Sequence, residues 1–239
     1  PDPMSALQVT SVGPPGAPRI LCLHGFLGCG EDWRPLAARW PDRYRVDLVD
    51  LPGHGRSLGL DAALYTWNGV LSELAQRART ASAIVGYSMG GRLALTLALT
   101  AGLERLQALV VLSASPGLET AAERERRRQE DETRAARLER DGLPAFLADW
   151  YTQPLFASLN RQPALRAHLL EQRGAGSAPE LARALRGLSV AQQRPLWNEF
   201  PGLKEPALFV AGAEDAAYAG LMQRAADLSP LGRSLMVPH

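Results

Sequence analysis

The sequence predicts an α/β protein built on a mostly parallel sheet, with helices on both faces and a helical insertion late in the chain. Short apolar runs recur and stop at breakers, and segments of helical length lie between the first five of them. Strands and helices alternating in this way imply right-handed crossovers and a parallel sheet. From Gly117 to about Pro201 the alternation lapses, leaving helical patterns broken at Gly142, Pro144, Pro154, Pro163 and Gly174-Ala175-Gly176. A stretch that long is not a loop of a compact domain, so it is expected to form an all-helical cap over the strand ends.

Pro1-Asp2-Pro3 lacks the charged and apolar character of a signal peptide and reads as a cloning remnant, with Met4 as the start. Arg19-Ile20-Leu21-Cys22-Leu23-His24 is an apolar run stopped by Gly25, which suits an interior parallel strand. A second run, 44–50, ends in the breaker-rich turn Leu51-Pro52-Gly53-His54-Gly55-Arg56-Ser57. Ala81 to Val85 is a third, and Arg92 to Leu99 reads as a helix buried on most sides. Further strands are expected at 106–112, 207–211 and 234–237. The organisation that follows is a first core part at 4–116, the cap at 117–201 and a second core part at 202–239, whose C-terminal end is expected to be incomplete. Within the cap, Glu119 to Arg140 is dense in charge, with Glu123, Arg127 and Asp131 spaced i, i+4; spacing alone makes this a solvated, ion-paired helix face.

At 239 residues and 46% hydrophobic, the chain has room for one α/β domain with an insertion. No apolar stretch approaches the ~20 residues of a membrane helix. A net charge of +1 argues against a nucleic-acid surface. The cysteines, Cys22 and Cys29, show neither a pairing nor a metal-ligand spacing, which predicts a reducing cytoplasmic setting and calls for no metal or cofactor. A monomer or homodimer is expected.

The chemistry centres on Gly86-Tyr87-Ser88-Met89-Gly90-Gly91-Arg92. A strand that turns abruptly into a helix at a serine leaves the hydroxyl protruding, and flanking glycines let the backbones pass closely. Serine at its own pKa is a poor nucleophile and a poor base, so it needs an imidazole oriented by a carboxylate. Asp215 follows the strand at 207–211 and is the best acid; Glu214 is its alternative, and helix capping its plainer role. In His24-Gly25-Phe26-Leu27-Gly28 the amide of Phe26 is placed to join that of Met89 around a developing negative charge. Among the histidines, His24 and His54 belong to turns, His168 lies in a helical part of the cap, and His239 is terminal and poorly fixed.

With Asp50-Leu51-Pro52-Gly53-His54-Gly55-Arg56-Ser57, these motifs resemble the α/β-hydrolase superfamily over the whole chain. The elbow ending in Arg92, Ser113-Ala114-Ser115-Pro116-Gly117-Leu118, Asp149-Trp150-Tyr151, Gln153-Pro154-Leu155-Phe156 and Arg194-Pro195-Leu196-Trp197 are more specifically similar to the 2-succinyl-6-hydroxy-2,4-cyclohexadiene-1-carboxylate synthases. That resemblance implies a lyase of menaquinone biosynthesis that expels pyruvate, with Ser88 as base, Asp215 in the relay, and the amides of Phe26 and Met89 on an enolate-like oxygen. It implies a small polycarboxylate substrate held by Arg92, Arg127 and Arg173, with Tyr87, Trp150 and Trp197 lining the pocket. It also places the histidine in a Gly-His pair before a final helix. His239 stands about three residues too early for that pattern, so the expected histidine lies beyond it. A serine carboxylesterase with Ser88 as nucleophile, and a non-catalytic binding protein on the same scaffold, are the alternatives.

Overall fold

A computed structural model describes residues 6–40 and 42–238. Its sheet is formed by β1 (Val9–Val12), β2 (Arg19–Leu23), β3 (Arg45–Val49), β4 (Ala83–Tyr87), β5 (Ala108–Leu112), β6 (Ala207–Gly212) and β7 (Gly232–Val237). Their order is β1-β3-β2-β4-β5-β6-β7. Every neighbouring pair is parallel except β1 with β3. The edge strand β1 is absent from the sequence reading. Its four residues, Val-Thr-Ser-Val, run straight into a Gly-Pro-Pro-Gly turn, too short for a periodicity to register; the β-branched Val9, Thr10 and Val12 suit a strand, and pairing with β3 fixes it.

Alternation along each strand sorts side chains to two faces. On β2, Leu21 and Leu23 join the larger core with α2 (Trp67–Ala78), α3 (Met89–Thr100) and α8 (Ala216–Leu228). Ile20 and Cys22 join a smaller one closed by Trp33, Trp40 and Ala37, the last of these on α1 (Arg34–Ala37). Strand β4 ends two residues later than its apolar run suggests, because Gly86 and Tyr87 continue the ladder to Gly86↔Val111 and Tyr87↔Leu112. Ser88 is thus the first residue past the strand.

Between β5 and β6 lie α4 (Ala121–Trp150), α5 (Ala157–Asn160), α6 (Pro163–Gly174) and α7 (Ala178–Gly187). Helix α4 opens with a reciprocal cap: Thr120 Oγ1 accepts from the Glu123 amide at 3.1 Å, and Glu123 Oε2 accepts from the Thr120 amide at 2.9 Å. It breaks at Gly142, whose φ of 80° is non-helical. The helices carry their own core, in which Leu138, Phe146, Leu147 and Leu181 surround Leu27, a residue of the turn after β2. The insertion therefore seats on that turn by apolar packing.

Candidate active site

Ser88 sits at φ 50°, ψ −111°, a conformation unusual for a residue with a side chain. Two contacts hold it there: its amide donates to the Leu112 carbonyl at 2.9 Å, and its own carbonyl accepts from the Arg92 amide at 3.0 Å. The turn closes only because its neighbours lack side chains. A Cβ on Gly86 would lie 2.4 Å from the Gly90 carbonyl oxygen, and one on Gly90 would lie 2.2 Å from that of Leu23. The elbow expected from the sequence is present.

The turn after β2 is fixed from beneath. Gly90 donates to the His24 carbonyl at 3.0 Å, Gly28 to that of Gly25 at 2.9 Å, and the Leu27 amide to Nε2 of His54 at 3.1 Å. Those bonds leave the amides of Phe26 and Met89 without a partner among the described residues. Both residues line the cavity that Ser88 enters, of about 390 Å³.

His24 and His54 are structural. His24 accepts from the Leu51 amide at Nε2 (3.0 Å) while its Nδ1 meets the Gly25 carbonyl at 2.7 Å. In His54 the same division holds, with Nδ1 at 2.9 Å from the Pro52 carbonyl. An imidazole that accepts at Nε2 and donates at Nδ1 is neutral and has no nitrogen left for Ser88. Burial drives both pKa values down, to about 4 for His24 and about 3 for His54. His168, on α6, lines an outer groove with His24, Gly25 and Tyr87. His239 lies outside the described residues. Asp215 caps α8, accepting from the Tyr218 amide at 3.1 Å, and borders a cavity it shares with Tyr87, Ser113 and Pro238. Its plainer, capping role is therefore present in the fold.

Arg92, Arg127 and Trp150 line the Ser88 cavity together. Arg92 is only 8% exposed, yet no carboxylate touches it among the described residues. Its Nη2 donates to the Leu188 carbonyl at 2.6 Å, its head lies 5.2 Å from the centre of the Trp67 ring, and its Nη1 is buried without a partner. Burial, then the neighbouring charge of Arg127, lower its pKa to about 10. Arg127 bonds Asp131 at 2.8 Å. Sequence reasoning passed over Arg134, which lines the same cavity and bonds the other oxygen of Asp131 at 2.8 Å; its position three residues after Asp131, on the helix face already singled out, was the available signal. Arg134 also pairs with Glu130 at 3.8 Å, so with Asp131 two carboxylates serve Arg127 and Arg134, and Arg92 is the guanidinium left over.

Tyr87 and Arg173 border an adjoining cavity of about 240 Å³, which also includes Ser88. Arg173 is held there by a two-pronged pair with Asp32, at 2.8 and 2.7 Å. Trp197 stands apart from this arrangement. It packs in the main core against Phe200, donates to the Gly117 carbonyl at 3.3 Å, and carries the Arg224 guanidinium 3.8 Å from its ring centre. An aromatic at a motif position and an aromatic in the core read alike in sequence, and here core packing took it.

A mostly parallel sheet, a serine on a strained strand-to-helix turn and two open amides lining its cavity together define a class. The chain belongs to the alpha/beta hydrolase family, whose sequence profile matches residues 20–239. Within it, the chain is 36% identical over 221 residues to the 2-succinyl-6-hydroxy-2,4-cyclohexadiene-1-carboxylate synthase of Klebsiella pneumoniae, covering 90% of this chain and 85% of that protein. It is 35% identical over 214 residues to the synthase of the same name from Yersinia pestis, covering 87% and 76%. Among solved structures it resembles MenH from S. aureus, with a TM-score of 0.90 and 28% identity over 98% of this chain and 90% of that one. An enol-lactonase from Burkholderia xenovorans LB400 shares the fold at a TM-score of 0.78 and 21% identity, covering 97% and 87%.

Proposed function

We propose that the chain is a carbon-oxygen lyase that eliminates pyruvate from 2-succinyl-5-enolpyruvyl-6-hydroxy-3-cyclohexene-1-carboxylate, giving 2-succinyl-6-hydroxy-2,4-cyclohexadiene-1-carboxylate. The observation that carries this reading is the buried, uncompensated Arg92 beside Ser88. A buried cation without a counterion is costly, and a cavity with surplus positive charge suits a substrate bearing three carboxylates. Arginine's planar fork matches carboxylates better than an ammonium. The similarity to synthases of that name supports the same substrate.

In this mechanism Ser88 acts as base, its hydroxyl proton passing to an imidazole that Asp215 orients. Ser88 removes a proton conjugated to the succinyl carbonyl, and the electron pair moves onto that carbonyl's oxygen, where the amides of Phe26 and Met89 receive it. Its return forms a ring double bond at the deprotonated carbon, shifts the existing ring alkene by one position and breaks the bond from the ring to the enolpyruvyl oxygen, and the departing enolate takes up a proton on carbon as pyruvate. Arg92, Arg127 and Arg173 bind the carboxylates, while Tyr87 and Trp150 shape the walls. The segment 117–201 serves as the lid over core parts 4–116 and 202–239. A cytoplasmic setting, supported by two unpaired cysteines, belongs to the same proposal.

The test is pyruvate release from the authentic substrate, measured with wild type and Ser88→Ala. Wild type is expected to release stoichiometric pyruvate and the variant at most about a thousandth of that rate. Stoichiometric labelling by a fluorophosphonate with ester turnover and no pyruvate would replace this reading with a serine esterase.

A further inference from the structure

The three guanidiniums of the Ser88 cavity come from two separate elements, Arg92 from α3 and Arg127 and Arg134 from α4. An anion site assembled from two elements needs something to fix the distance between them. Leu188 and Ser189, the two residues that follow α7, touch both sides. The Leu188 carbonyl accepts from Arg92 Nη2 at 2.6 Å. One residue further on, the Ser189 hydroxyl donates to Asp131 Oδ2 at 2.7 Å. That same carboxylate accepts from Arg127 Nε at 2.8 Å and from Arg134 Nη1 at 2.8 Å.

We propose that Ser189 is a positioning residue which, through Asp131, locks the three cavity arginines into one array whose spacing selects a polycarboxylate. The proposal rests on the reading of the cavity as a polycarboxylate site. Ser189 and Asp131 are 3% and 1% exposed, so water does not substitute for the bond between them. Asp131 sits between two guanidiniums that would otherwise repel, and its two oxygens are taken by different arginines, which fixes the separation of the heads. Ser189 supplies the remaining donor and is joined to Leu188 by a single rigid peptide unit. A shift of α4 against α3 therefore breaks a buried charge-assisted bond. The array is held at its spacing before any ligand arrives, so the ligand does not bear the ordering cost.

Ser189→Ala removes the donor to Asp131, and with it the oxygen that accepts from the Ala191 amide at 3.0 Å, and leaves every arginine in place; Ser189→Thr keeps the hydroxyl for both bonds. Binding of propane-1,2,3-tricarboxylate is measured by calorimetry for both variants and wild type. In parallel, KM and kcat for pyruvate release are determined, and thermal unfolding is followed as a check on the fold. Ser189→Ala is expected to weaken tricarboxylate binding about tenfold and to raise KM by a similar factor, with a smaller fall in kcat, while Ser189→Thr stays within about threefold of wild type. A merely structural serine would lower the melting temperature without that split between KM and kcat. Tricarboxylate binding by Ser189→Ala equal to wild type, or its absence from wild type, overturns the proposal. Wild type that binds the tricarboxylate tenfold better than Ser189→Ala but releases no pyruvate supports the array and instead sinks the proposed reaction.

Discussion

Gly90→Ala sets two effects of one methyl group against each other. Gly90 is the second residue of α3, where alanine is favoured over glycine by up to about 1 kcal/mol. The new Cβ would stand 2.2 Å from the Leu23 oxygen, 2.4 Å from the Leu23 carbonyl carbon and 2.6 Å from the His24 oxygen, all backbone atoms. Bringing the shortest of these contacts to 3.0 Å requires the start of α3 to withdraw from the end of β2 by about 0.8 Å. Overpacking of this kind costs about 1–3 kcal/mol, and with three backbone atoms in the way the upper half of that range applies, so the clash is expected to win by about 1–2 kcal/mol. The withdrawal also stretches the 3.0 Å bond from Gly90 to the His24 carbonyl, which ties the elbow to the turn carrying Phe26. Because the two open amides sit on opposite sides of that seam, displacement of about 1 Å is expected to lower kcat/KM for pyruvate release about a hundredfold. Gly220→Ala is the control: it lies inside α8 with nothing within 4 Å of its Cβ, and should stabilise by up to about 1 kcal/mol. Urea denaturation and steady-state kinetics read both quantities. A Gly90→Ala enzyme within threefold of wild-type activity and no less stable would refute the close-approach argument.

Arg92→Met exchanges a buried, unpaired cation for an apolar side chain and gives up one bond to Leu188; unfolding should show stability unchanged or raised by about 1 kcal/mol while kcat/KM falls at least tenfold, and a loss above about 2 kcal/mol would mean the charge is stabilising. His24 and His54 are neutral when folded, with pKa values near 4 and 3, but titrate near 6.5 when unfolded. The unfolded chain therefore binds more protons as pH falls below 6.5, and stability should drop by about 1.4 kcal/mol per pH unit for each histidine down toward pH 4. His54→Gln should flatten that slope by one histidine's share, and an unchanged slope would refute the assignment. Trp197→Phe, in the core, should cost about 1–2 kcal/mol through lost area and the contact with Arg224, with KM within twofold of wild type.

What the sequence disclosed about this molecule is what is local. The run Arg19 to Leu23 is buried along its length from Ile20, and an apolar string between breakers leaves few alternatives. The elbow was legible because it is a compact backbone feature with its glycines in fixed places. The start of α4 is just as local, with Thr120 and Glu123 capping each other three residues apart, though the sequence reading took from this stretch only its charge. The rest depends on pairs far apart in the chain. Ser189 gains its place from Asp131, 58 residues away, and Arg92 from Leu188, 96 residues away. Neither residue type nor neighbours mark those meetings. His24 and His54 present the same limit from the other side: either could have been a catalytic base by composition, and only their backbone partners, on turns 27 residues apart, show both nitrogens spent.

The unmatched charge of Arg92 also bears on how this protein behaves in solution. A fold that closes with a surplus of positive charge in its interior is incomplete in electrostatic terms until an anion enters, so the ligand acts as a component of the native state. Thermodynamic linkage then makes apparent stability a function of free polycarboxylate, rising by about 2.7 kcal/mol at a hundredfold excess over the dissociation constant. Melting curves recorded in citrate and in a neutral zwitterionic buffer would thus describe two differently occupied proteins, and in a cell the supply of substrate would shift the folding equilibrium by the same linkage.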